Sequence, residues 1–123
     1  MEVKPFRTFE LSKEGLENYE KISGLLNEQL MKLRAQGYVI ERPATLVGES
    51  GVTHTFEAIA KKGDEVIAIA ISLGEPLTQT LFRLGIAKSD LNFKKLILIT
   101  SKAITPVERD FARSLGIELI GIT

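Results

Sequence analysis

The chain contains no cysteine and no tryptophan, and it has one histidine among 123 residues. Without cysteine it forms neither a disulfide nor a cysteine-ligated zinc site. Lysine plus arginine equals aspartate plus glutamate, so the overall positive field of a typical nucleic-acid-binding domain is missing. The longest apolar run is far shorter than the ~20 residues that cross a bilayer. We therefore expect no membrane partner and only weak contact with nucleic acid.

The length suits one domain of ordinary size. We expect an N-terminal leader over residues 1–11 and a single domain over residues 12–123. Since no apolar stretch follows Met1, we expect no signal peptide and a cytoplasmic location. The sequence contains no P-loop, dinucleotide fingerprint or nucleophile elbow.

The first part of the chain predicts a long helix and two strands. The helix is indicated by apolar residues at spacings of three and four, with Ser12 as its cap and Gly37 at its end. The stripe consists of Leu16, Tyr19, Ile22, Leu26, Leu30 and Leu33. Residues 38–47 predict a strand that Pro43 disturbs. Residues 52–60 alternate, which predicts one strand with His54 facing the same side as its apolar neighbours.

The second part predicts two helices between strands. Lys62-Gly63-Asp64 is typical of a hairpin turn, and residues 65–72 form an apolar strand. A helix is predicted to begin at Pro76. The apolar segment "KLILIT" predicts the next strand. Residues Thr105 to Glu108 predict a capping box at the start of the last helix. The segment "IELIGI" predicts the final strand.

These predictions give an α/β fold with the order α-β-β-β-α-β-α-β. The first three strands form an antiparallel meander, and the later ones run parallel through right-handed crossovers. The result is a mixed central sheet with helices on both sides. Residues 65–72 are apolar on both faces because both faces are covered.

Three segments with this element order resemble the restriction-endonuclease-like superfamily, written PD-(D/E)xK, and its Mrr-type and archaeal members in particular. They are the leucine-rich helix ending at "LRAQGY", the stretch "GESGVTHTFEAIAKKGDEVIAIAIS" and the stretch "KKLILITSKAITPVERDFARSLGIELI". The resemblance covers about residues 16–121. It implies a domain that cuts DNA with a divalent metal ion and that commonly dimerises.

The catalytic motif implied by the resemblance is incomplete. The family's aspartate position holds Glu57, which we interpret as a relict catalytic group and candidate metal ligand. Its glutamate and lysine positions hold Ala70 and Ser72. Two carboxylates are needed because Mg²⁺ requires several hard oxygen ligands, and the lysine would offset charge at the phosphate. The incomplete motif predicts no cofactor.

Relocated ligands are the alternative. Glu28 or Glu49 would then join Glu57 around Mg²⁺ or Mn²⁺, and Glu20 and Glu41 are further candidates. Lys61 and Lys62 are candidate nucleic-acid contacts, although paired lysines at a turn are usually solvated strand ends. His54 is expected to be a packed or rim histidine, and Ser72 a strand-end hydroxyl.

Three functions follow. The favoured one is a catalytically degenerate nuclease-fold domain that binds a protein partner, a copy of itself or nucleic acid. The second is a metal-dependent endonuclease with relocated ligands around Glu57. The third is an unrelated regulatory α/β protein, which would have a fully parallel sheet instead of an antiparallel hairpin.

Overall fold

The computed structural model describes residues 13–73 and 76–121, so the expected leader at residues 1–11 and the predicted cap Ser12 lie outside the described residues. Helix α1 spans Lys13–Ala35, α2 spans Leu77–Asp90 and α3 spans Pro106–Leu115. The strands are β1 Val39–Glu41, β2 Ala44–Val47, β3 Thr53–Phe56, β4 Ala58–Lys62, β5 Glu65–Ser72, β6 Lys95–Thr100 and β7 Ile117–Gly121.

The central sheet has five strands in the order β1-β4-β5-β6-β7. Strand β4 pairs antiparallel with β1 and β5, whereas β5, β6 and β7 run parallel. The predicted mixed sheet within a single α/β domain is confirmed, and the antiparallel β4–β5 pair contradicts the fully parallel alternative.

Strand β5 is covered on both faces, as its apolar run predicted. Ile67 and Ile69 pack in a core with the buried leucines of α1, while Ala68 packs on the other side with α2 and α3. The α2 contribution to that second core is Leu77, Leu81, Leu84 and Ala87. Burial of these side chains on both faces is the main stabilising contribution to the domain.

The predicted capping box of α3 is confirmed. The Thr105 hydroxyl accepts a hydrogen bond from the Glu108 N–H at 3.1 Å, and the Glu108 carboxylate accepts one from the Thr105 N–H at 3.0 Å. Gly116 ends the helix in the left-handed conformation. Within the described ranges, no helix combines the length and apolar character needed to cross a membrane.

The two strands predicted before the apolar strand are each broken in two, which corrects their predicted continuity. The first breaks at Arg42 and Pro43, where proline has no N–H for a ladder bond. The second breaks at Glu57. Phe56 packs on the α2 side, but Ala58 packs on the α1 side, so the predicted alternation through residues 52–60 is wrong beyond Phe56. The hairpin register is the same on both sides of the break, since Glu41 pairs with Ile59 and Ala44 pairs with Phe56. A bend at Glu57, and not an inserted residue, therefore reverses the parity.

Candidate functional site

The two strand breaks lie opposite each other and turn the end of the hairpin away from the central sheet. On one side of the breaks Glu41 pairs with Ile59 in the central sheet, and on the other Ala44 pairs with Phe56 in the separate β2–β3 sheet. A cavity of about 520 Å³ lies between β3, β5 and α2. It is lined by Pro43, Thr53, His54, Thr55, Phe56, Glu57, Ala70, Ile71, Arg83, Leu84 and Ala87.

Glu57 lines this cavity from the bend between β3 and β4, and its carboxylate is paired with an arginine. The Glu57 N–H donates to the Ile69 carbonyl at 3.0 Å, which fixes the backbone beside β5. Its Oε1 lies 3.6 Å from a guanidinium nitrogen of Arg42, at the opposite break. The pair cancels the charge of the one carboxylate that lines the cavity, so the site offers a cation little net attraction.

Ala70 and Ser72, where the resemblance would place a glutamate and a lysine, lie along β5. Ala70 lines the same cavity as Glu57. Ser72 is the last residue of β5 and is only 1% exposed, and its hydroxyl has no hydrogen-bond partner in the described part of the chain. The structure therefore brings position 70 to Glu57, whereas position 72 is enclosed in the protein.

The turned hairpin is fastened to the end of α2 by Asp90. Its carboxylate accepts hydrogen bonds from the Ser50 N–H at 2.8 Å and from the Ser50 hydroxyl at 2.7 Å, and it lies 2.7 Å from Nε2 of His54. The Asp90 carbonyl also accepts the Glu49 N–H at 3.1 Å. We call this set of contacts the Asp90 clasp. It holds β2 and β3 over the cavity.

The hydrogen bonds of the Asp90 clasp lower the pKa of the Asp90 carboxyl. The Ser50 hydroxyl, His54 and the Ser50 N–H, in that order of effect, lower the pKa of Asp90 to about 2. An acid in the last turn of a helix faces the negative end of the helix dipole, and these donors compensate for that position. The backbone at Gly48 comes so close that a Cβ there would lie 1.9 Å from the Asp90 carboxylate.

The predicted nucleic-acid contacts at the hairpin turn have partners within the fold. Lys61 lies 3.3 Å from the Glu41 carboxylate. Lys62 donates to the Gln36 carbonyl at 2.7 Å, just beyond α1, and lies over the Tyr38 ring. Neither lysine lines the cavity of Glu57.

The other carboxylates predicted as relocated ligands do not line the cavity. Glu28 is exposed on α1 and pairs with Lys32 at 3.7 Å. Helix α1 packs on the sheet face opposite the cavity, and Glu49 is exposed at the hairpin tip. Across residues 13–73 and 76–121, no cluster of three or more histidine, aspartate or glutamate side chains is arranged to hold a metal ion.

The sequence analysis did not identify four residues of the candidate site: Arg42, Ser50, Arg83 and Asp90. Asp90 carried a usable signal, because an acid ending a predicted helix is unfavourable unless a donor meets it. Its partners lie 36 and 40 positions earlier, so spacing could not identify them. His54 has the packed setting that was predicted, with Asp90 as its partner.

Comparisons with known proteins support only the fold. No family model matches the chain, and no curated protein matches it significantly. A solved structure described as a protein of unknown function, AF1548, superposes with a TM-score of 0.61 at 15% sequence identity. The match covers 82% of this chain and 57% of that one. This chain thus shares its α/β architecture with a segment of a longer protein.

The cavity suits the binding of a polar or anionic group better than a cation. Its charged side chains are Glu57, already paired with Arg42, and Arg83. Arg83 forms no ion pair with any described residue. Hydroxyl groups of Thr53 and Thr55 add neutral polar contacts.

Proposed function

We propose that this domain is a restriction-endonuclease-like fold whose catalytic centre has degenerated and that it serves as a binding or assembly module. The observation that carries the proposal is the ion pair between Glu57 and Arg42 at a cavity whose other key position is Ala70. A divalent ion needs several oxygen ligands. Here the one carboxylate at the cavity, Glu57, is paired with the guanidinium of Arg42 instead of with a second carboxylate.

The architecture supports the kinship. An antiparallel hairpin leads into β5, and two parallel crossovers follow it, which is the order that the resemblance implies. At the bend between β3 and β4, the Glu57 N–H bonds to β5, and Glu57 lines the same cavity as Ala70, where the family's second carboxylate would stand.

A cleavage assay tests the loss of catalysis. Plasmid, single-stranded and branched DNA are incubated with the protein in Mg²⁺ or Mn²⁺, and no cleavage is expected. Glu57→Ala and Glu49→Ala form a matched pair, since Glu49 is a carboxylate that lies outside the cavity. Cleavage that is lost with Glu57→Ala and kept with Glu49→Ala would overturn the proposal in favour of a metal-dependent nuclease.

A binding titration tests nucleic acid as a partner. With zero net charge, contact with labelled duplex or single-stranded DNA should be weak and should disappear as salt rises. The same titration with Lys61→Ala and with Lys62→Ala measures whether the hairpin turn contributes to DNA binding. Since both lysines have partners in the fold, we expect little change in binding from either variant. Absence of binding at low salt would leave a protein partner or a second copy as the ligand.

A further inference from the structure

The outer surface of α2 and α3 exposes large apolar side chains side by side. Phe82 is 58% exposed and Ile86 55% exposed, and they lie four residues apart on one side of α2. On α3, Val107 is 74% exposed. Single exposed apolar residues are ordinary, but neighbouring ones on adjacent helices are typical of an interaction surface.

Phe82 and Ile86 of α2 border a groove whose other side is formed by Phe111 of α3. Its volume is about 500 Å³, and its lining consists of Thr78, Gln79, Phe82, Arg83, Ile86 and Phe111. We call it the α2–α3 groove. Contacts between α2 and α3, with Leu115 against Gly85, set the spacing of its walls. An apolar groove between helices fits an amphipathic helix, whose apolar residues repeat every three or four positions.

Charge indicates which kind of helix fits. Arg83 is the one charged side chain in the lining, and no carboxylate among the described residues pairs with it. If this face contacted the same face of a second copy, two Arg83 side chains would come together, and the groove supplies no carboxylate to pair with them. Nucleic acid is disfavoured because a single arginine releases few counterions. A carboxylate, by contrast, would pair with Arg83 through charge-assisted hydrogen bonds.

We propose that the α2–α3 groove binds an acidic amphipathic helix of a partner protein. Apolar residues of that helix at positions i, i+4 and i+7 would cover Phe82, Ile86 and Phe111, and a glutamate or aspartate beside them would meet Arg83. Arg83 lines both the groove and the cavity of Glu57, but the apolar groove residues Phe82, Ile86 and Phe111 do not line that cavity. The inference therefore stands whether or not the domain derives from a nuclease.

Two synthetic helical peptides test the proposal. Both carry leucine at the same i, i+4 and i+7 positions, and their remaining surface positions hold glutamate in one peptide and lysine in the other. Fluorescence anisotropy with the full chain measures their affinities. The glutamate peptide should bind at least about tenfold more tightly than the lysine peptide. Equal affinities, or no binding of the glutamate peptide at roughly 1 mM, would overturn the proposal.

Variants locate the site. Phe82→Ala should weaken the binding of the glutamate peptide at least about tenfold. Val39→Ala, which changes an even more exposed apolar residue on β1, should leave the affinity unchanged. Arg83→Glu should reverse the preference between the two peptides, and Arg109→Glu on the exposed side of α3 should not. Circular dichroism confirms that each variant is folded. A preference unaffected by Arg83→Glu contradicts the proposal.

The same variants distinguish other occupants. Sedimentation of the unmodified chain should give a monomer at the peptide-binding concentrations. A dimer that dissociates with Phe82→Ala would show that the groove is filled by a second copy and would overturn the proposal. Binding of a single-stranded oligonucleotide that depends on Phe82 and Arg83, without binding of either peptide, would overturn it as well.

Discussion

The carboxylate of Asp90 lies 2.7 Å from Nε2 of His54, and this contact joins the last turn of α2 to strand β3. Both side chains are mostly buried at the junction. Together with the Ser50 contacts, the bond fixes the turned hairpin over the cavity that contains Glu57. The shape of the cavity therefore depends on Asp90, at the end of α2. The sequence predicted this helix only as a connection between parallel strands.

Asp90→Asn should loosen the hairpin without unfolding the domain. The asparagine amide cannot accept all the hydrogen bonds of the carboxylate, and the charge that supports His54 is lost. Hydrogen exchange should become faster at the amides of residues 49–54 and stay unchanged in β5 and β6. Asp64→Asn, at an exposed turn, is the control. Equal exchange rates in both variants would show that the clasp does not hold the hairpin.

The pKa of Asp90 gives a prediction for acid conditions. Because its folded-state pKa is depressed to about 2 from 3.8, its contribution to stability is present in full above pH 3.8 and is lost as the pH falls toward 2. Carbon-detected NMR titration of the side-chain carboxyl measures this directly. Ser50→Ala should raise the pKa, since the Ser50 hydroxyl is its largest cause. An ordinary titration near 3.8 in the unmodified chain would refute the clasp geometry.

Gly48→Ala should destabilise the hairpin because the added methyl group collides with the Asp90 carboxylate. The added Cβ would lie 1.9 Å from a carboxylate oxygen of Asp90, and moving that side chain breaks its bonds to Ser50 and His54. Thermal unfolding should occur at a lower temperature. Gly24→Ala on α1 is the matched control: no atom lies within 4 Å of its added Cβ. It should stabilise the domain by up to about 1 kcal/mol.

Removing the ion pair at the cavity should have a small effect on folding. Glu57 and Arg42 are both substantially exposed, and such pairs contribute about 0–1 kcal/mol. Chemical denaturation of Arg42→Ala should thus show a nearly unchanged free energy of unfolding. A loss comparable to that of a core truncation such as Leu81→Ala, about 2–5 kcal/mol, would mean that the pair is structurally essential.

Restoring a second carboxylate should create a cation site. Ala70→Glu combined with Arg42→Ala places an acid beside Glu57 and removes the competing guanidinium. Calorimetry should detect Mn²⁺ binding with a dissociation constant of about 1 mM or tighter. Ala70→Gln with Arg42→Ala has the same shape without the charge and should bind no ion. Equal binding of Mn²⁺ by the two double variants would contradict the proposal that position 70 corresponds to a metal-ligand position.

The regular elements were predictable because their signals are local. The capping box at Thr105, the apolar stripe of α1 and the two-faced burial of β5 each depend on residues close in sequence. The structure confirms the capping box and the two-faced burial of β5, and it confirms the α1 stripe from Ile22 to Leu33, whereas the predicted stripe members Leu16 and Tyr19 are exposed. The parallel crossovers follow from the helices between β5, β6 and β7.

The parts that were missed depend on long-range geometry. The alternation through residues 52–60 continues in the sequence, but the chain bends at Glu57, opposite the break at Pro43. Nothing in the local pattern specifies that two breaks coincide. Arg42 was likewise passed over, since its pairing with Glu57 exists only once the hairpin has formed.

Crystals of the unmodified protein soaked in Mn²⁺, with anomalous diffraction recorded at the manganese edge, test the central claim most directly. The account predicts no manganese peak with Glu57 among its ligands, because Arg42 neutralises that carboxylate and Ala70 supplies no second one. A manganese ion coordinated by Glu57 and by other oxygen atoms of the chain would contradict it.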